Sequence, residues 1–310
     1  MSGLLFMSCA DADTVSEVIP QPSVVRYDAG CFTFSSQTCI YVKDKSQEEV
    51  ADWFAWNFAR PAGFVPRIVH NESEADVILR TDCEMKSEAY AIKVTPKSIE
   101  ILASGTPGFF YAFQTLIYSL PESIHSSSYV HRTKWSVPSM TVYDEPRFSH
   151  RCLNVNISGV SIYRNRLYQL MDNMALLKFN VLHLNMDDGC PLSEQELYDL
   201  ALYASTLQIS LCTDGQKSKG SDLLVSFANR SLMEIYFYEP DEHEDFHSFL
   251  MGLLSCSWLE SCSNRDDLRS KLFPRMAALA EISWSPEGSK DWMRFSKAAQ
   301  SCGRRMNFMF

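Results

Sequence analysis

Apolar and polar positions along this chain keep one rhythm up to about residue 121 and a different one beyond residue 150. In the first stretch, short alternating runs mix with longer helical ones. CFTFSSQTCIYV reads as extended segments, and SQEEVADWFAWNFAR as an amphipathic helix turning Val50, Trp53, Phe54 and Ala55 to a core. ADVILRT is a strand, and AYAIKVTPKSIEILAS is a hairpin: Ala91, Lys93 and Thr95 alternate with Ile92 and Val94, and Pro96-Lys97-Ser98 reverses the chain. PGFFYAFQTLIYSLP is a helix bounded by prolines. Together these segments predict an α/β sandwich with its helices on one face. The Ser- and His-rich residues 121–138 read as an exposed connector.

Beyond Arg151 the rhythm becomes strand, helix, strand. CLNVNIS, RNRLYQLMDNMALLK and FNVLHLNM form a βαβ pattern, the unit of a parallel sheet. Leu167, Leu170, Met171, Met174 and Leu177 fall at helical spacing and give the helix one apolar face. Ser193 and Glu196 form a capping box at the start of the next helix, whose Leu197, Leu200, Ala201 and Ala204 turn inward. LQISL, SDLLVSFAN, IYFYEP and FLMGLLSCSW are further strand candidates. A long helix through RDDLRSKLFPRMAALAEISWS, bent at Pro274, and a last helix around DWMRFSKAA end the pattern.

A closed eight-unit (β/α) barrel takes about 250 residues, and roughly 165 remain here, room for about five units. The expected architecture is an N-terminal α/β sandwich domain followed by an incomplete TIM-type barrel. The expected organisation is a leader or lipoprotein tether at 1–19, the α/β domain at 20–138 and the shortened barrel at 139–310.

Composition narrows the function class. With 46% hydrophobic and 21% charged residues, the 310-residue chain can bury two cores. A net charge of -10 argues against nucleic acid or an anionic membrane surface, which need clustered Lys and Arg, and favours neutral or polar partners. None of the ten cysteines forms a CxxC pair and no His stands at zinc-ligand spacing, so neither a metal nor another cofactor is expected. The opening MSGLLFMSC, an apolar run ending in a small residue and Cys9, reads either as a lipoprotein cleavage site with the lipid on Cys9 or as a frayed terminus with an incidental cysteine. The first alternative implies a lipid-anchored bacterial surface protein of the cell envelope. No later run reaches the ~20 apolar residues of a membrane span, so any membrane link is an anchor.

Three stretches, in order, resemble glycoside hydrolase family 20, the β-N-acetylhexosaminidases. YAIKVTPKSIEILASGTPGFFYAFQTL is similar to the end of the family's N-terminal domain. YDEPRFSHRCLNVNIS through MALLKFNVLHLNMDDG is similar to its first two barrel strands, and MGLLSCSWLE with LFPRMAALAEISWS to its last strand and helix. The resemblance implies chemistry in which the substrate's own acetamido oxygen attacks the anomeric carbon. An Asp orients it and a neighbouring Glu protonates the leaving oxygen, a departure from the usual two-carboxylate scheme. In the family that Asp-Glu pair follows a His-x-Gly-Gly stretch, which this chain lacks. The shortening falls between TLQISLCTDG and SDLLVSF, with QKSKG as the remaining linker.

By the same resemblance, Arg151 and Glu260 match groups that bind sugar hydroxyls, and Trp258 matches the ring that packs on the acetamido group. Trp258 and Glu260, two apart on a strand, point to one side. The alternative is a core Trp258 and a structural Arg151–Glu260 ion pair. Asn156 and Gly159 depart from the family's Asp and Arg, and Cys190 replaces an aromatic after His183, Asp187 and Asp188. Of the Asp-Glu dipeptides present, Asp144-Glu145 reads as structural and Asp241-Glu242 as a solvated loop.

Three functions compete at this level. The first is a degenerate hexosaminidase that no longer cleaves efficiently but binds N-acetylhexosamine-containing glycans. The second is a working hydrolase with a relocated carboxylate, drawn from Asp188, Glu239, Asp241 and Glu242. The third is an assembly role in which an open barrel offers its strand edges to a partner or to a second copy, giving a homo-oligomer.

Overall fold

The computed structural model describes residues 17–157, 164–186, 192–213, 224–226, 231–239, 249–254 and 273–306. Residues 1–16 of the expected leader, Cys9 among them, lie outside these, while Val18 and Ile19, at its end, are buried. The chain divides into two units, the first made of residues up to Val18 with Pro22–Glu145 and the second of Ile19–Gln21 with Pro146 onward.

The first unit is a seven-stranded sheet with helices packed on it. Its strands are β1 (Val24–Thr33), β2 (Cys39–Tyr41), β3 (Arg67–Val69), β4 (Val77–Thr81), β5 (Tyr90–Val94), β6 (Ile99–Ala103) and β7 (Ser136–Asp144), in the order β1-β7-β5-β6-β4-β2-β3. The β5–β6 hairpin has the expected alternation, with Tyr90, Ile92 and Val94 buried and Lys93 exposed. Helix α1 (Lys45–Trp56) begins where the Asp44 side chain accepts the Gln47 N–H, and it buries Val50, Phe54 and Ala55. A four-residue turn, α2 (Ala59–Ala62), follows it. Phe54 stacks on Phe113 of α3 (Thr106–Ser119), ring centroids 4.3 Å apart, and fully burying such a ring contributes about 1.5–3 kcal/mol. Gly108 lets α3 approach the sheet: a Cβ there would lie 2.6 Å from the Ala89 carbonyl oxygen and 2.8 Å from Ala103 Cβ. Buried Asp144 accepts hydrogen bonds from Tyr90 Oη and from the Ser23 N–H, and Glu145 pairs with Lys86, so this Asp-Glu dipeptide serves the fold.

Here the structure corrects the sequence reading. Residues 121–138 are not an exposed connector throughout, because Ile124, Trp135 and Val137 are buried and β7 starts at Ser136. The first unit extends to Glu145 rather than 138, since β7 is hydrogen-bonded between β1 and β5.

The second unit contains β8 (His150–Asn156), α4 (Arg164–Leu176), β9 (Val181–Asn185), α5 (Glu194–Thr206) and β10 (Ser210–Thr213). It continues with β11 (Leu224–Ser226), α6 (Leu232–Tyr236), β12 (Phe249–Leu254), α7 (Phe273–Trp284) and α8 (Trp292–Arg305). Among the described residues it has five strands, all parallel, in the order β10-β9-β8-β12-β11. Among the described residues the last strand of this unit therefore pairs with its first, as at the seam of a closed barrel, while residues 214–223 connect the two edge strands β10 and β11. Leu153 and Val155 of β8 align with Leu182 and Leu184 of β9, and all four are buried. In α4 the apolar stripe Leu167, Leu170, Met171 and Met174 is buried as the spacing predicts, and the Ser193–Glu196 capping box opens α5.

Two further expectations change. IYFYEP is not a strand: Ser231 and Glu234 form a second capping box, and α6 covers Ile235 and Tyr236, the latter stacked on Phe295 with centroids 4.4 Å apart. Hydrogen bonds at the helix start and burial against α8 outweigh the β-propensity of the aromatic run. Ala201 is exposed rather than inward-facing. Pro274 stands in the first turn of the described part of α7, whose preceding residues lie outside the described ones.

Candidate functional site at the carboxyl ends of the barrel strands

Ligands of parallel α/β barrels are met at the carboxyl ends of the strands. On β8 and β9 the residues facing away from the Leu153–Leu182 row include Cys152 with Val181 and, nearer that end, Asn154 with His183. The row therefore becomes polar as it approaches the end where a ligand would enter. Asn154 Nδ2 lies 3.3 Å from His183 Nδ1. An amide nitrogen only donates, so this contact makes Nδ1 the acceptor and leaves the proton of a neutral imidazole on Nε2. His183 is half-buried and Asn154 nearly buried. A side-chain amide and an imidazole offer the donors and acceptors that suit the hydroxyls and amides of an uncharged ligand.

Cys152 and half-buried Cys212 of β10 pack with Val181 on the same side. Burial, and secondarily Cys212, pushes the Cys152 thiol up to about 12, and burial raises Cys212 as well. Both are therefore thiols at neutral pH rather than thiolate nucleophiles. Among the described residues no group of three or more His, Cys, Asp or Glu could hold a metal ion, and no helix is long and apolar enough to cross a membrane.

Arg151, expected from the resemblance to bind sugar hydroxyls, is held in the structure by main-chain oxygens and an aromatic ring. It stands second in β8, at the amino end of the strand, and is 1% exposed. Lys178 closes α4 in the left-handed conformation (φ 61°), and its carbonyl accepts Arg151 Nε–H at 2.8 Å. Arg151 Nη1 donates to the Phe148 carbonyl at 2.7 Å, and the guanidinium lies 4.8 Å from the Trp284 ring centroid. The Arg fork is thus committed to main-chain oxygens and an aromatic face away from the carboxyl ends.

Glu239 is likewise unsuited to act as a general acid. It pairs with Lys290 at 2.5 Å and Arg147 at 2.7 Å. Partial burial would raise its carboxyl, but the hydrogen bonds and charges of Lys290 and Arg147 outweigh that and hold it below the ordinary range. A proton donor needs the opposite shift.

Trp258, Glu260, Asp187, Asp188, Cys190, Gly159, Asp241 and Glu242 lie outside the described residues. The structure thus joins His183 to Asn154, a residue that the sequence reading did not single out. Its signal was the alternation of Asn154 and Asn156 in CLNVNIS, two polar positions on one side of an otherwise apolar strand.

Comparison with known proteins places this geometry in context. The model "Glycosyl hydrolase family 20, domain 2" matches residues 15–145, and the model of that family's catalytic domain matches residues 227–287. A β-hexosaminidase of Vibrio furnissii is 26% identical over 179 residues, covering 57% of this chain and 27% of that protein. An N,N'-diacetylchitobiase of Vibrio harveyi is 31% identical over 103 residues, covering 33% and 11%. The chain thus spans about a quarter or less of the length of these relatives. Among solved structures, a mutant Streptomyces plicatus β-hexosaminidase in complex with its product GlcNAc aligns with TM-score 0.75 at 15% identity, over 93% of this chain and 94% of that one. A Vibrio harveyi exo-β-N-acetylglucosaminidase in complex with N-acetylglucosamine aligns with TM-score 0.75 at 12% identity, over 96% and 77%. At such identities the likeness concerns the fold.

Proposed function

From the premise that the chain belongs to glycoside hydrolase family 20, we propose that it is a β-N-acetylhexosaminidase-like protein impaired in glycoside cleavage that binds N-acetylhexosamine-containing glycans. The binding site is at the carboxyl ends of β8, β9 and β12. The observation that carries this reading is the link from β10 to β11, residues 214–223. Across a five-stranded sheet those edges stand at most about 19 Å apart, within the reach of an extended segment of that length. One further parallel unit with its crossover takes about 30 residues. The link can bridge the sheet but cannot hold the middle strands that carry the family's acidic pair. Loss of a general acid costs about 10²- to 10⁴-fold, and the acetamido-orienting group is lost with it.

Binding draws on what persists. Asn154 and His183 offer hydrogen-bond donors and acceptors, and Trp258 and Glu260 follow β12, whose last residue is Leu254. Among the relatives' structures, those with GlcNAc or N-acetylglucosamine bound support the ligand class. The reading of a working hydrolase loses Glu239, held ionised by two cations.

The test is nitrophenol release from 4-nitrophenyl N-acetyl-β-glucosaminide at near-stoichiometric protein, followed by titration with N-acetylglucosamine. The expected result is no turnover, with binding that Trp258→Ala abolishes. Turnover that Glu260→Ala removes would instead establish a rebuilt active site, and absence of both turnover and binding would leave a relic.

A further inference from the structure

The segment just before β1 belongs to the second unit, although the strand it leads into belongs to the first. Ile19 is fully buried. The main chain of Gln21 is held at both of its polar groups by side chains near the end of α7. Its N–H donates to Glu281 Oε1 at 3.0 Å, and its carbonyl accepts from Ser285 Oγ at 2.9 Å. Backbone groups fixed in this way cannot leave without stranding their partners.

Three elements meet at Glu281. The oxygen that accepts from Gln21 also lies 2.7 Å from Arg294 Nη2 of α8, and both side chains are buried. Burial pushes the Glu281 carboxyl above the ordinary range, and the Arg294 charge and the Gln21 N–H offset only part of that. A buried ion pair holds only while further hydrogen bonds satisfy its remaining lone pairs, and Gln21 supplies one of them. The far end of the two helices is joined differently. A Cβ on Gly303 would lie 3.0 Å from the Phe273 ring, so α8 packs closely on the start of α7 there. The Glu281 end depends on charge and on the segment laid across it. Just beyond it, the carbonyls of Ser283 and Trp284 accept the Phe148 and Arg147 N–H groups, so whatever steadies this end of α7 also steadies the entry to β8.

We infer that Ile19–Gln21 are a strap that locks α7 to α8, so that a protease can remove residues 1–16 without effect, whereas hydrolysis of one peptide bond just after Gln21 unlocks the two helices. The physical reason is tethering. Trimming up to residue 16 leaves Ile19 and both Gln21 bonds in place, and the strap still continues into β1. A cut after Gln21 severs that tie, and a short piece with two hydrogen bonds and one buried side chain loses the effective concentration that kept it seated.

Hydrogen exchange read peptide by peptide tests this, because local opening of α7 and α8 is measured apart from the rest of the chain. A chain beginning at Glu17 should exchange as the full chain does. A chain beginning at Pro22, and Ile19→Asp in the full chain, should exchange roughly tenfold faster or more in both helices, while α1 and α3 of the first unit keep their protection. Ile19→Ala and Ser285→Ala, mild enough to leave the fold intact, should move the same two helices in the same direction. Exchange in α7 and α8 that is unchanged by these two variants overturns the inference. So does an increase spread equally over α1 and α3, or one already produced by removing residues 1–16.

Discussion

The Arg151 guanidinium lies 4.8 Å from the Trp284 ring centroid, and the Lys178 ammonium lies 4.4 Å from the same ring. Two cations thus share one indole at the amino end of β8, each drawn by the ring's negative face. The loop before β8 is fastened to the same place, because the Arg147 N–H donates to the Trp284 carbonyl and the Phe148 N–H to that of Ser283. The first barrel strand and the end of α7 are held as one body through this ring.

Arg151→Ala should therefore destabilise the protein rather than act on sugar. Removing a buried cation leaves the Lys178 and Phe148 carbonyls without its hydrogen bonds, a loss of about 3–5 kcal/mol. For a unit of this size that lowers the melting temperature by roughly 6–20 °C. Calorimetry checks it. An unchanged melt with lost glycan affinity would return Arg151 to the binding wall.

His150 makes stability depend on acid. Burial first, and the Arg151 charge second, lower its pKa from 6.5 to about 4. The unfolded chain then binds the proton more readily than the folded one. This contribution is fully present above about pH 6.5 and is lost as pH falls toward 4. Denaturant melts across that window should show a slope that His150→Gln reduces. Equal slopes in the two proteins would refute the assignment.

Gly108→Ala should cost about 1–3 kcal/mol by overpacking. The nearest atoms to the added methyl are the Ala89 carbonyl and Ala103 Cβ, which cannot swing aside as a long side chain would. A thermal melt of the full chain should show the loss. A wild-type melt would mean that α3 can lift from β5 and β6 at no cost.

Asn154→Ala and His183→Ala should each weaken N-acetylglucosamine binding by about tenfold, the worth of one or two hydrogen bonds. Neither should lower the melt as Arg151→Ala does, because half-buried His183 and its partner stand near the carboxyl end. Titration calorimetry beside a melting curve separates the two effects. Undiminished binding in both variants would move the ligand off β8 and β9.

Local structure was legible wherever one periodicity dominated. The stripe from Leu167 to Met174, the alternation in β5 and the Ser193–Glu196 box depend on residues a few positions apart, and each formed as its pattern dictates. In IYFYEP local signals conflicted, and the Ser231–Glu234 cap together with the stack of Tyr236 on Phe295 drew Ile235 and Tyr236 into the end of a helix. The polar pair was half legible: His183 and Asn156 drew notice, whereas Asn154 gained meaning only when the parallel register set it opposite His183.

By itself the sequence determined the sandwich, the parallel units that follow, and the absence of the family's acidic stretch, because composition and short-range spacing encode these. Only the tertiary structure decided that β12 returns to pair with β8, that the first unit keeps β7, and that the Arg151 guanidinium lies over the Trp284 ring. Each of those rests on contacts between residues far apart in the chain. The strongest such contacts form where burial removes water, and no local pattern records which distant neighbour will share that space.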